Sequence, residues 1–294
     1  MRDNYSCLKR FAFFSIFCFF LNGLGAQSTI LPSLNRYKYD TNTIDSGNVR
    51  VLYAMNALDI NDIKTYDDIQ RLEVGSKLSK YYSYYVFRND SLKKDFMRKN
   101  PTAGSLPMQP GEFGKKGYTW SFVIWSDFFK DFSKKSLTEY ANMPHSGIPP
   151  YQYTEEIPAQ EWTLKDDTLT ICGYLCRKAT CRFRGNDFIA WFAQELPISN
   201  GPWKFNGLPG LILKVQDKNG HNTFECIKIE NHTKKFPIIM FDDRRYTITE
   251  RLKLRQLEKE IYADFFKVGG IIAQDKNGNP RQFVPIPYHP LELE

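Results

Sequence analysis

Between residues 168 and 229 the chain is a succession of short runs rich in β-branched and aromatic residues, each closed by turn chemistry. The runs fall at 168–172, 175–183, 188–193, 211–215 and 222–229. Gly185-Asn186 suits a two-residue hairpin loop, and Asp217-Lys218-Asn219-Gly220 joins the last two runs in the same way. Leu208-Pro209-Gly210-Leu211 reads as a type II turn, with Pro209 fixing φ near −65° and Gly210 supplying the positive φ that follows. Most of these connections are too short for the crossover that parallel strands need. The pattern favours an antiparallel meander over any βαβ arrangement.

The first half is less regular. Residues 49–55 have strand composition, and 74–80 with 81–86 read as a strand pair. A short helix is expected over 91–96, a Gly/Pro-rich loop over 101–117 and a strand over 120–125, while the Pro-containing stretch 140–158 reads as a surface wrap. One long helix is predicted over 248–266. Thr247 and Glu250 have capping-box spacing, Leu252, Leu254, Leu257, Ile261 and Phe265 form its apolar face, and Gly269-Gly270 ends it. The expected fold is mostly β or α+β: a curved antiparallel sheet with this C-terminal helix packed on it. Such a sheet is similar, by fold analogy alone, to the half-barrel of periplasmic lipoprotein carriers.

The N-terminus carries a targeting pattern. Arg2, Lys9 and Arg10 precede an apolar run over 11–21, and Gly23, Gly25 and Ala26 follow. That is a secretory signal over residues 1–26, too short for a membrane anchor of about twenty apolar residues. The expected location is therefore periplasmic, outer-membrane associated or extracellular, with no stable membrane span after cleavage. Residues 27–47 read as a polar leader that can add an edge strand, and 48–294 as a single β-rich domain. The formal net charge is +7, of which the signal supplies +2. No basic stripe with interleaved aromatics stands out, so nucleic acid is not an expected partner.

Specific residues carry a family resemblance. Trp162-Thr163-Leu164, Ile171, Gly173-Tyr174, Cys176, Lys178-Ala179 and Ile189-Ala190-Trp191-Phe192 form an ordered block, continued by Glu195-Leu196-Pro197, Gly201-Pro202-Trp203-Lys204-Phe205 and Gly207-Leu208-Pro209-Gly210-Leu211-Ile212. The tail Pro287-Tyr288-His289-Pro290-Leu291-Glu292 closes the pattern. Together they resemble the GLPGLI family of exported Gram-negative envelope proteins. The resemblance implies an envelope location and no settled biochemical activity. Cys172 and Cys181 depart from the pattern.

Candidate chemistry is sparse. Cys172, Cys176, Cys181 and Cys226 lie beyond the signal, and an oxidising compartment makes them disulfide candidates. On one extended strand Cys176 and Cys181 would lie about 16 Å apart, beyond the roughly 7 Å between Cα atoms that a disulfide allows. Cys172 and Cys176 are also too distant unless Gly173-Tyr174 turns tightly, so Cys226 is the natural partner for one of the three. The C-x3-C-x4-C spacing matches no zinc site, and neither metal nor cofactor is expected. His145, His221, His232 and His289 sit in turn-like contexts without paired spacing, and Asp127, Asp131, Asp166-Asp167 and Asp242-Asp243 read as solvated or capping groups. No nucleophile elbow, phosphate loop or dinucleotide fingerprint is present, and no catalytic residue is assigned. Aromatic residues make up 15% of the chain. Trp191, Trp203 and Phe205, with the turn Gly207, Leu208, Pro209 and Gly210, are the candidate binding residues of an apolar groove. The same residues equally suit a β-sheet core. The sequence thus favours a non-enzymatic binding module for an apolar small molecule or an envelope partner. A hydrolase of unannotated type and an accessory of a TonB-dependent uptake system are the alternatives.

Overall fold

A computed structural model of the protein describes residues 41–103, 126–143, 148–241, 246–275 and 277–294. The predicted signal and the predicted strand at 120–125 lie outside them, as does most of the predicted loop over 101–117. Mostly β architecture is what the structure shows: the described strands form one open, curved sheet of twelve. They are β1 Thr41–Met55, β2 Asp68–Gly75, β3 Leu78–Ser83, β4 Ser126–Asp131, β5 Ser136–Ala141, β6 Tyr151–Glu156, β7 Thr163–Ile171, β8 Tyr174–Phe183, β9 Asn186–Ala193, β10 Leu211–Asp217, β11 Thr223–Phe241 and β12 Thr247–Ile248. Their spatial order, β12-β6-β5-β4-β3-β2-β1-β11-β10-β9-β8-β7, is two meanders fused where β1 pairs with β11. All these pairings are antiparallel except the short β12–β6 contact.

The hairpins of the second half form as expected, with small offsets. The β8–β9 loop is Arg184-Gly185, at φ 48° and 79°, one residue earlier than predicted. Cys172 and Gly173, at φ 49° and 83°, make the β7–β8 loop. Pairs of positive φ match the right-handed twist of the flanking strands. The signature turn departs from expectation. Gly210 N–H donates to Leu208 O at 2.8 Å, a three-residue turn about Pro209 rather than a type II turn. Glycine is still required at 210: φ is 157°, and a Cβ there would sit 2.3 Å from Ala193 O.

The first half needs more correction. Residues 41–47, read as a polar leader able to add an edge strand, are the first part of β1; they pair with β11, and only Gly47 also meets β2. The pair expected at 74–80 and 81–86 is shifted: β2 ends at Gly75, and β3 gives way at Tyr84 to helix α1, Tyr84–Lys99. The Ser83 side chain caps α1 by accepting from Val86 N. Within 140–158, read as a surface wrap, Tyr140 and Ala141 finish β5 and Tyr151–Glu156 form β6, while 144–147 lie outside the described residues.

The long C-terminal helix is two pieces, α2 Arg251–Ala263 and α3 Phe265–Gly269, broken at Asp264. Thr247 is not a cap, because it pairs with β6, and Glu250 precedes α2 without a side-chain cap bond. Gly270 ends α3 in the left-handed conformation, as predicted. Leu254, Ile261, Phe265 and Phe266 pack on Ala141, Met143, Ile148 and Tyr153, so the helices do cover the sheet at the β5–β6 side.

The largest core cluster lies inside the curve. It joins Val51, Tyr53, Leu72, Tyr81 and Phe128 of the first meander to Phe183, Phe188, Phe192 and Val215 of the second. Trp203, Phe205 and Leu208 of the β9–β10 connection fill the space between them.

Candidate functional site

The β9–β10 connection, residues 194–210, is held from both sides. Ile212 N donates to Asn200 O, Leu211 N to Leu196 O, and Trp162 Nε1 to Asn206 O. From β4, the buried Lys130 ammonium reaches across to Phe205 O at 2.6 Å and Asn200 Oδ1 at 2.9 Å. Desolvation pulls its pKa down to about 7. Trp203 adopts φ 50°, unusual for a bulky residue, and it delivers the next side chain, Lys204, into the interior.

Lys204 is 0% exposed and stands at the centre of a buried ionic cluster. Its Nζ contacts Glu292 of the C-terminal tail in a very short ion pair, the Tyr153 hydroxyl at 2.5 Å, Glu155 at 3.6 Å and Glu139 at 3.8 Å. The partners come from every part of the fold. Glu139 accepts from Ser126 Oγ and Tyr153 OH and pairs with Arg255 of α2 at 2.6 Å. Glu155 of β6 pairs with Arg184 of the β8–β9 loop at 2.6 Å. Those two residues stand near opposite ends of the strand order, so the pair closes the open sheet across its curve. Glu292 gathers the most cations: besides Lys204, Arg251 lies at 2.5 Å, Arg184 at 2.8 Å and Arg255 at 3.9 Å.

The electrostatics follow from burial and company. Desolvation raises the Glu292 pKa, but Lys204, Arg255 and Arg184 outweigh it and hold the carboxyl down at about 2. Glu139 is lowered for the same reason, chiefly by Arg255 and Lys204 against desolvation. Glu258 of α2, 3.2 Å from Arg255, goes the other way: desolvation, with Glu139 and Glu292 nearby, pushes it up to about 7. Lys204 is lowered by desolvation despite its three carboxylates.

The tail that carries Glu292 is strapped along the surface. Asn186 Nδ2 donates to Pro290 O and Leu291 O, Asn222 Nδ2 to His289 O, and Leu293 N to Arg184 O. His289 stacks on His221 with ring centroids 4.0 Å apart. Two segments quoted for the family resemblance, 201–212 and 287–292, therefore meet at Lys204 and Glu292. Sequence reasoning named both residues within motifs but assigned neither a role. A usable signal was there: a lysine between Trp203 and Phe205 in an apolar stretch requires a carboxylate partner when buried.

The proposed binding residues divide. Trp203, Phe205 and Leu208 are core residues, 1%, 0% and 2% exposed, and line no open groove mouth. Trp191 is half-buried on β9, with the Lys178 ammonium 5.6 Å from its ring. Gly207 and Pro209 are exposed and Gly210 is buried. The four cysteines are free thiols. Cys172 and Cys226 are brought together, with their sulfurs 3.5 Å apart, whereas burial pushes Cys176 up to about 11 and Cys181 to about 12. His232 lies 3.5 Å from Glu230. Asp127 pairs with Lys80, Asp131 caps the β4–β5 turn, and Asp166 and Asp167 pair with Arg177 and Lys178. His145, Asp242 and Asp243 lie outside the described residues. Among the described residues no group of three or more His, Cys, Asp or Glu could hold a metal, and no helix is long and apolar enough to cross a membrane.

Comparison with known proteins gives two similarities. Residues 127–255 match the family model described as the N-terminal domain of an N-glycanase peptide, PNGase F-II. That segment contains Lys204, Glu139, Glu155, Arg184, Arg251 and Arg255, but neither Glu258 nor Glu292. Two solved structures of PNGF-II, in space groups P21 and C2, are similar at 16% and 15% identity with TM-scores of 0.43 and 0.42. Each alignment covers 71% of this chain and 32% of the other, so the chain spans about a third of the length of those proteins. No curated protein sequence matches.

Proposed function

We propose that this chain is an exported, GLPGLI-type module of the cell envelope that acts by binding a partner rather than by catalysis. The observation that carries the reading is where its chemical groups are spent. The concavity of the sheet is filled by the chain's own residues 194–210, and the ionic cluster beneath is closed by its own Glu292. Lys204, Glu139 and Glu292 are each fully matched by internal partners, which suits a rigid scaffold. An envelope protein is a better partner than an apolar small molecule, because Trp203 and Phe205 already occupy the place such a molecule would take. The match to the N-terminal domain of an N-glycanase directs the search to partners that carry glycans.

The test is a pair of measurements on the exported protein. Biolayer interferometry against envelope glycoproteins, native and chemically deglycosylated, reads binding; mass spectrometry of an N-glycopeptide incubated with the protein reads cleavage. Binding without glycan release is expected. Release of glycan would replace this reading with the hydrolase one, and absence of binding to every envelope fraction would end it.

A further inference from the structure

Cys172 and Cys226 take no part in the ionic cluster; Cys226 belongs to the main core and Cys172 is exposed, yet the fold brings them together. In the hydrogen-bonded order β9 and β10 stand between β8 and β11. The β7–β8 loop nevertheless folds back so that Cys172 Sγ lies 3.5 Å from Cys226 Sγ and 3.1 Å from Cys226 O. Cys172 sits at φ 49° beside Gly173, in a loop whose shape fixes the direction of its side chain. The two thiols are unlike: Cys172 is exposed, and Cys226 is buried on β11 opposite Tyr53 of β1.

We propose that Cys172 and Cys226 are a redox pair that closes into a disulfide, with Cys172 the entering thiol and Cys226 the resolving one. The co-reactant is a disulfide oxidant of the glutathione or thiol–disulfide oxidoreductase class. The Cys172 thiolate attacks one sulfur of that disulfide and expels one thiolate, which leaves a mixed disulfide at Cys172. Cys226 then loses its proton to solvent and attacks Cys172 Sγ, and the second oxidant thiolate departs. Two protein thiols are oxidised, their two protons pass through solvent to the two departing thiolates, and one external disulfide is reduced to two thiols. The sulfurs have about 1.5 Å to close to reach bonding distance. The contact supports this order of events, because Cys226 lowers the Cys172 pKa while the Cys226 thiol itself is raised by Cys172 and by burial. The closed bond would pin the β7–β8 hairpin, whose outer strand β7 is exposed along most of its length, to the central strand β11.

In the cell the reaction rests on the export reading above, since a reducing cytosol keeps thiols open; the chemistry itself does not. The full-length protein is reduced, equilibrated with oxidised glutathione, trapped with N-ethylmaleimide and mapped by mass spectrometry without reduction. A Cys172–Cys226 linked peptide is expected, with Cys176 and Cys181 labelled only after unfolding. In C226S, Cys172 should stop at the glutathione adduct, and in C172S neither adduct nor link should form at Cys226. Linkage of either residue to Cys176 or Cys181, or free thiols at both positions under full oxidation, overturns the proposal. If glutathione forms the link but protein taken directly from cells is reduced, the pair stands and the export reading falls.

Discussion

Replacing Glu292 by Gln tests whether the tail is held by charge. The side chain is 1% exposed and lies within 4 Å of four cationic groups, on Lys204, Arg184, Arg251 and Arg255. Gln keeps the volume and an acceptor but removes the charge, leaving those cations one anion short. Two routes give the size of the loss. Breaking a buried ion pair from one side costs about 3–5 kcal/mol. The gap between 4.5 and about 2 in the Glu292 pKa is worth roughly 3 kcal/mol at about 1.4 kcal/mol per pH unit. We therefore expect E292Q to lower unfolding free energy at pH 7 by about 3 kcal/mol in urea titration followed by tryptophan fluorescence. That corresponds to roughly 6–12 °C in Tm for a domain of this size. Lys204→Met should cost a similar amount alone. The double variant should cost at least about 1 kcal/mol less than the sum, because each change relieves the ion the other strands. Additivity within about 0.5 kcal/mol, or a loss below about 1 kcal/mol in E292Q, would refute the argument.

Three further outcomes follow from the same structure. Glu292 has a lowered pKa, so its contribution is present above pH 4.5 and disappears as pH falls toward about 2; E292Q should flatten that limb of a pH–stability curve measured by urea titration. Glu258 has a raised pKa, so the folded state binds its proton more tightly and stability declines as pH rises from 4.5 to about 7. Glu258→Gln should remove that decline, and an unchanged slope between pH 5 and pH 8 would count against it. Gly210→Val places a Cβ against Ala193 O and should abolish recovery of soluble folded protein, whereas Gly220→Ala, at φ 70° with open space around it, should cost only about 1 kcal/mol by thermal melt.

How much of this was legible in the sequence depends on how local each signal is. The hairpins from β7 to β11 could be read because each is set by a few neighbouring residues: a glycine at positive φ and alternating apolar positions on either side. The capped end of α3 at Gly270 is legible for the same reason. Strands β4, β5 and β6 were not, and the cause is physical. Their inward positions include Ser126, Lys130, Glu139 and Tyr153, which serve the buried polar contacts, so the apolar alternation that marks a strand is interrupted where the site is built. Helix α1 was legible only over 91–96; its first turns were hidden behind Tyr81 to Val86, whose β-type composition masks the cap at Ser83.

The sequence alone thus determined an antiparallel β fold, a helical C-terminal element that packs on it and a turn at 209–210 that calls for glycine, whereas the close approach of Ala193 O that makes Gly210 irreplaceable is tertiary. It also singled out the two segments that contain Lys204 and Glu292. Only the tertiary structure decided that these segments meet, that 194–210 fills the concavity rather than lining a groove, and that Cys172 faces Cys226. Each of these contacts spans tens of residues and depends on how the sheet curves. Curvature brings Glu155 and Arg184, near opposite ends of the strand order, within 2.6 Å. No local pattern encodes that distance, because it is the sum of small twists along twelve paired strands.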